Sequence, residues 1–351
     1  MSTSLRPSFR IEVPEDAYSG DVPLAATLRG DYVNALYRGV AAMCTPDGET
    51  IVALGDAGQP AFMRSAAKPF QVMPAILSGG VDRFGITERE LAVLCASHIA
   101  EPRHMDAVLS VLGKIGLGEE HLRCGIHPPI HEPTARDRAR RGIEPSPVCN
   151  NCSGAHAGQL VACRAEGWPV DDYGNPGHPL QVWIRRIVAA FAGLEDVPFA
   201  VDNCAIPTFR VPVDRGAVMF ARLATGEAVP SDLSAAAARV VAAMTRHPGM
   251  VGGEGRFDTV LMSAAGGSVV AKGGAEAFQG IGISPERLGL AVKISSGAAA
   301  ASVVALRLLS DLGLMPAQRD GLQPFIEPEI YNHQGALVGR MVPLIHVERG
   351  A

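Results

Sequence analysis

Two rhythms of apolar and polar positions run along this chain. The helical one is clearest in PLQVWIRRIVAAFAG at 179–193, where apolar residues recur at the spacing of one helix face. ITEREL at 86–91 opens another helix: Thr87 is placed as N-cap and Glu90, three residues on, completes a capping box ahead of LAVLCA. Residues 103–116 and 231–253 read as helices followed by glycine turns, and NCSGAHAGQLVACRAEG at 151–167 begins as a loop and turns helical. Residues 71–79 continue a helix, with Pro74 at a kink or in a first turn. The β rhythm appears in VAAMC and TIVAL, which flank the turn TPDGE at 45–49 and predict a hairpin. The stretch 259–283 reads as strand, Gly-Gly turn and strand. Residues 199–226 read as a buried strand turning at Asp202–Asn203 and ending in a helix. Residues 289–314 give strand, turn and helix, and MVPLIHVE near the end gives one more strand. Between 125 and 149 the prolines argue against long elements, which suits either a binding loop or a surface excursion; Arg136–Arg141 reads as a solvated face. Strands joined by tight turns rather than crossover helices predict an α/β or α+β fold with an antiparallel sheet. No repeat, low-complexity tract or linker divides residues 1–351, so a single catalytic domain or two closely packed lobes is expected.

Composition narrows the class. The chain is 47% hydrophobic, enough for a large core, but only 5% aromatic and rich in Gly and Ala, which predicts close packing of small side chains. Lys+Arg 31 against Asp+Glu 36 leaves a net charge of −5 and no basic stripe, so nucleic acid is not an expected partner. The sequence shows neither a secretory pattern at its start nor a run long enough to span a bilayer, and seven dispersed cysteines do not suit a secreted disulfide scaffold. A cytoplasmic protein is the expectation.

Candidate chemistry centres on RSAAKPFQ at 64–71. Ser65 and Lys68, three apart at a helix start, share one face, and a lysine whose pKa is lowered can serve a serine as base. Many helices carry S-x-x-K by chance, so the motif needs company. Ser97, beside His98, follows an apolar segment and is either a second hydroxyl of the same network or a turn serine. Lys272 ends the strand SVVA before Gly273-Gly274, much like the K-T-G element of serine β-lactamases. Cys149-Asn-Asn-Cys152, with Cys204 or His156, offers a thin metal pattern that redox chemistry or coincidence fits equally.

Six blocks in order, RSAAKPFQ, CASH, NNCSGAHAG, DNCAIPTF, VGGEGRFDT and AKGGAE, resemble the Rhizobium-type (thermolabile, type II) L-asparaginases from about residue 23 to about residue 305. The resemblance implies a fold related to serine β-lactamases and penicillin-binding proteins, an antiparallel sheet flanked by helices, and a homodimer. It implies hydrolysis of the side-chain amide of L-asparagine through an acyl-enzyme. Ser65, Lys68, Ser97 and Lys272 match the family's two serines and two lysines, with Ser65 attacking and Lys68 taking its proton. His98, Arg256, Asp258 and Glu276 are the polar residues expected to meet the substrate's charges. The family's zinc ligands are two cysteines, matched by Cys152 and Cys204, and a lysine.

The lysine is missing. Ala155 stands in its place and has no donor atom, so zinc is expected to bind weakly or not at all unless Cys149 or His156 substitutes. Asn34 and Tyr37 replace an acidic residue and a histidine, Asn203 and Ala205 stand where glycines are usual, and Ser295-Ser296-Gly297 replaces an Asp-Gly ending. These departures keep two alternatives open beside an asparaginase: an amidohydrolase of the same fold acting on another small amide such as glutamine, or a weakly active or inactive small-molecule-binding homologue.

Overall fold

The computed structural model describes residues 18–297 and 300–348. Strands β1 (Val22–Arg29), β2 (Tyr32–Cys44) and β3 (Thr50–Leu54) lead the chain, and β4 (Pro60–Phe62) follows. β5 (Phe199–Val201) and β6 (Pro207–Pro212) come mid-chain. β7 (Val269–Gly274), β8 (Phe278–Ile283), β9 (Leu288–Ile294), β10 (Glu329–Tyr331) and β11 (Leu337–Pro343) complete the set. The main sheet has eight strands, in the order β10-β11-β1-β2-β9-β8-β7 with β3 paired to β2. Every pair is antiparallel. This is the mixed α/β architecture the sequence predicts, an antiparallel sheet with helices packed against it. β4, β6 and β5 form a separate three-stranded sheet that carries the approach to Ser65.

Small residues let helix and sheet approach. The helix Val213–Thr225 lies across β8 and β9 at Gly280 and Gly289. A Cβ on Gly280 would come within 1.9 Å of the Phe220 ring, and one on Gly289 within 2.0 Å of the Ala217 carbonyl. Phe220 in turn meets Phe70 edge-on at 5.8 Å, tying the segment that carries Lys68 to the sheet-covering helix.

The hairpin at 45–49 forms as read, with Cys44 opposite Thr50. Thr87 accepts from the Glu90 backbone and Glu90 from that of Thr87, so the capping box is complete. Pro74 sits in the first turn of Met73–Leu77, just past a break at Val72. Four readings need correction. Residues 259–265 belong to a helix, Phe257–Ala265, not a strand. Extended Arg256 starts it, left-handed Gly266 (φ 56°) ends it, and it buries Leu261 and Met262. Pro133 does not break the helix Glu132–Arg140, because it occupies the first turn, where its missing N–H costs nothing. β5 is exposed, and the buried strand of that region is β6, hidden in the sequence by prolines at both ends. The last strand stops at Pro343, so only the start of MVPLIHVE is in the sheet, and the preceding residues supply β10 and most of β11.

Candidate active site

Ser65 enters the site from β4 through a turn of 3-10 helix, Arg64–Ala67, continued by a short α-helix, Lys68–Gln71. Arg64, ahead of the serine, is held in the left-handed region at φ 51°. Its guanidinium donates to both carboxylate oxygens of Asp202 at 2.9 and 2.7 Å and to Glu276 at 2.7 Å. One side chain therefore fastens the serine turn to the β5–β6 turn, which carries Cys204, and to the β7–β8 turn. Ala205, Glu276 and Ala277 are also left-handed, so non-glycine strain gathers around Ser65.

Lys68 is 2% exposed. Its Nζ donates to the Ala96 carbonyl at 2.8 Å, to Ser97 Oγ at 3.0 Å and to Cys152 Sγ at 3.2 Å. All three ammonium protons are spent, and the hydroxyl they reach is that of Ser97, not Ser65. Ser97 is fixed in turn by its backbone N–H on the Val251 carbonyl at 3.0 Å. Ser65, Ser97 and Lys272 line one cavity of about 550 Å³, with Asn151, Arg256, Asp258 and Glu276 also on its wall.

Lys272, on β7, is also 2% exposed. It donates to the Gly273 carbonyl at 2.7 Å and lies 3.7 Å from Asp258. Burial pushes its pKa down to about 8, against the pull of Asp258, and the charges of Lys68 and Arg256 lower it further. Asp258 accepts from the Gly273 N–H at 2.8 Å and from Gln279 at 3.0 Å, so its carboxylate is held from three sides. Glu276 is pinned by Arg64, with its side chain 68% exposed. His98 lies outside the cavity lining. It is fully buried, its Nδ1 accepts from the Ala100 N–H at 3.1 Å and its Nε2 donates to Ser153 Oγ at 2.9 Å. With both ring nitrogens occupied, it braces the start of the helix Ser153–Glu166 rather than facing the cavity.

Cys152 and Cys204 lie close enough for each to shift the ionisation of the other. The thiol of Cys204, helped by the Lys68 ammonium, brings Cys152 down to about 5 against the effect of burial. Cys204 moves the opposite way, raised by its bond to Cys152 and by burial, so Cys204 keeps the proton and Cys152 is the thiolate. Cys149 packs its sulfur on Met105 at 3.8 Å. His156 Nδ1 sits 2.6 Å from the Tyr173 hydroxyl, while its Nε2 is buried with no hydrogen-bond partner. Among the described residues no three His, Cys, Asp or Glu side chains converge as a metal centre needs. Ala155 adds no donor, and Lys68 Nζ already stands beside Cys152. The chemistry below uses no metal.

Arg64, Asp202, Asn151 and Gln279 were not singled out by sequence reasoning. All but Gln279 lie inside recognised blocks, RSAAKPFQ, DNCAIPTF and NNCSGAHAG, so the signal was present but attached to their neighbours.

A buried lysine bonded to one serine shares a neighbourhood with a second serine and a second lysine, the groups that serine-lysine nucleophilic catalysis needs. The chain belongs to the L-asparaginase II family, whose model matches residues 25–343, and so to a family of amidohydrolases. No curated protein matches it in sequence. Similar solved structures include the protein Mglu in its native form, 19% identical over 80% of this chain and 66% of that one, with a TM-score of 0.46. This chain thus spans slightly under two thirds of Mglu. A Bacillus glutaminase is 14% identical over 86% of this chain and 95% of its own, TM-score 0.37. A β-lactamase from Mycobacterium bovis is 14% identical over 73% and 86%, TM-score 0.37. These likenesses are distant, and nothing below rests on them. Among the described residues no helix is long and apolar enough to cross a membrane.

Proposed function

We propose that the protein hydrolyses the side-chain amide of L-asparagine to aspartate and ammonia through a serine ester. The observation that carries this reading is the Lys68–Ser97 hydrogen bond at 3.0 Å in a cavity that Ser65 and Lys272 also line. Ser65 Oγ attacks the amide carbon, and its proton passes through Ser97 to Lys68. The amine form of Lys68 is the one that accepts this proton, and the Cys152 sulfur 3.2 Å away holds the ammonium that results. Collapse of the tetrahedral intermediate breaks the C–N bond and ammonia leaves with the returned proton. Water then cleaves the ester to aspartate and free serine. Lys272 and Arg256 stabilise negative charge on the substrate, and Asp258 keeps Lys272 in place.

Ser65→Ala should abolish ammonia release from asparagine, and in the wild type a trapped ester should map to the peptide containing Ser65. Undiminished turnover by Ser65→Ala would exclude the scheme. The direct bond from Lys68 favours a second reading in which Ser97 attacks; an ester on the Ser97 peptide would select it. Running glutamine beside asparagine separates the two small-amide substrates, and absence of turnover on either would leave a binding protein.

A further inference from the structure

The catalytic scheme gives no role to the large apolar side chains of the cavity wall. Phe257 and Phe325 line it as an edge-to-face pair, ring centroids 5.4 Å apart at 60°. Ile99 and Ile130 line it on the side of Ser97, joined by the bond from the His131 N–H to the Ile99 carbonyl at 2.7 Å. Phe325 comes from Gln323–Ile326, far in sequence from the serines, and Ile130 from the proline-rich stretch. A cavity of about 550 Å³ falls in the range of clefts that hold drug-sized ligands, larger than a free asparagine requires. The charged groups on the wall, Lys272, Arg256, Asp258 and the Glu276 that Arg64 pairs, match the charges of an amino-acid head, which belong to the acid half of the substrate. The amine half has no charge to meet, and the aromatic and branched side chains are what remain for it.

We infer that the cavity takes amino-acid amides whose side-chain amide nitrogen carries an arylalkyl group, and that the Phe257–Phe325 pair binds that group. The inference rests on the amide-hydrolase reading above and extends its substrate class to secondary amides. The step balances as before: the serine oxygen forms the ester as the C–N bond breaks, the arylalkylamine leaves with the serine proton, and water regenerates the hydroxyl. An aromatic substituent set against an edge-to-face pair gains both apolar burial and a favourable ring contact.

N4-benzyl-L-asparagine is the probe, compared with L-asparagine. Calorimetric binding is read on Ser65→Ala, and release of benzylamine or ammonia on the wild type. The expected result is benzyl-amide binding at least tenfold tighter than asparagine, and a kcat/KM ratio favouring the benzyl amide. Phe325→Ala should lower both ratios about tenfold, and Phe325→Leu should restore part of each, which separates lost contact from misfolding. Equal or weaker binding of the benzyl amide, or ratios unmoved by Phe325→Ala, would overturn the inference. Preferential binding without turnover of either amide would uphold the pocket assignment and sink the hydrolase reading instead.

Discussion

Replacing Lys272 by methionine should make the protein more stable and less active. The lysine is fully enclosed on β7, and burial brings its pKa from the ordinary 10.5 to about 8. Each pKa unit is worth about 1.4 kcal/mol, so holding the ammonium below pH 8 costs the folded state about 3 kcal/mol. Methionine has similar length, no charge to desolvate and enough flexibility to fill the same slot. What is lost is the bond to the Gly273 carbonyl, about 1 kcal/mol. Asp258 is not orphaned, since the Gly273 N–H and Gln279 still hold it. The net gain at pH 7 is therefore about 2 kcal/mol. Its pH dependence has a definite sign. Between about pH 8 and 10.5 the unfolded lysine is protonated and the folded one neutral, so the unfolded state binds more protons and wild-type stability from this group rises with pH. The advantage of Lys272→Met is thus largest below pH 8 and fades toward pH 10.5. Urea unfolding of both proteins at pH 7, 8.5 and 10 measures it, with asparagine turnover assayed alongside. A variant less stable than wild type at pH 7, or a stability difference independent of pH, would refute the reasoning.

Cys152→Ser should reduce asparagine turnover by about 100-fold, because an uncharged serine no longer stabilises the ammonium that forms when Lys68 takes the serine proton; the wild type should keep full activity in excess chelator, and inhibition by the chelator would show that a metal participates after all. Arg64→Ala should lower stability by about 3 kcal/mol in denaturant unfolding, since Asp202, whose side chain is 13% exposed, loses its buried partner, and kcat should fall with it as the turns bearing Ser65 and Cys204 come apart; a variant with wild-type stability and kcat would mean the clip does not position them.

The legible parts of this protein were those fixed by local chemistry. The Thr87–Glu90 box and the TPDGE turn each satisfy their own backbone groups within a few residues, so sequence sufficed. The helix Phe257–Ala265 was misread because Thr259, Val260, Leu261 and Met262 have strand-like composition, and its true ends are set by Arg256 and Gly266. In the site, the blocks point to Ser65, Lys68, Ser97 and Lys272 as catalytic; the structure brings Ser65, Ser97 and Lys272 to one cavity and bonds Lys68 to Ser97, whereas spacing alone pairs Lys68 with Ser65. Spacing shows which face a side chain starts from, not what its far end meets. The four-carbon stem of Lys68 carries its Nζ across to the loop holding Ser97, where the Ala96 carbonyl, Ser97 Oγ and Cys152 Sγ take its bonds. Arg256, Asp258 and Glu276 do line the cavity; His98, adjacent in sequence to Ser97, points into the core.

Ala155 withdraws one donor from the neighbourhood of two sulfurs. A negative charge on Cys152 is met by the Lys68 ammonium at 3.2 Å and by Cys204 beside it. That arrangement ties the base to the state of a sulfur, since a thiolate at that distance favours the ammonium that forms when Lys68 takes the serine proton. It follows that restoring a third ligand should not simply add to activity. Were Ala155→Lys to bring zinc to Cys152 and Cys204, the sulfur's charge would be committed to the metal and would no longer hold the Lys68 ammonium, so zinc content and asparagine turnover should be read together on that variant.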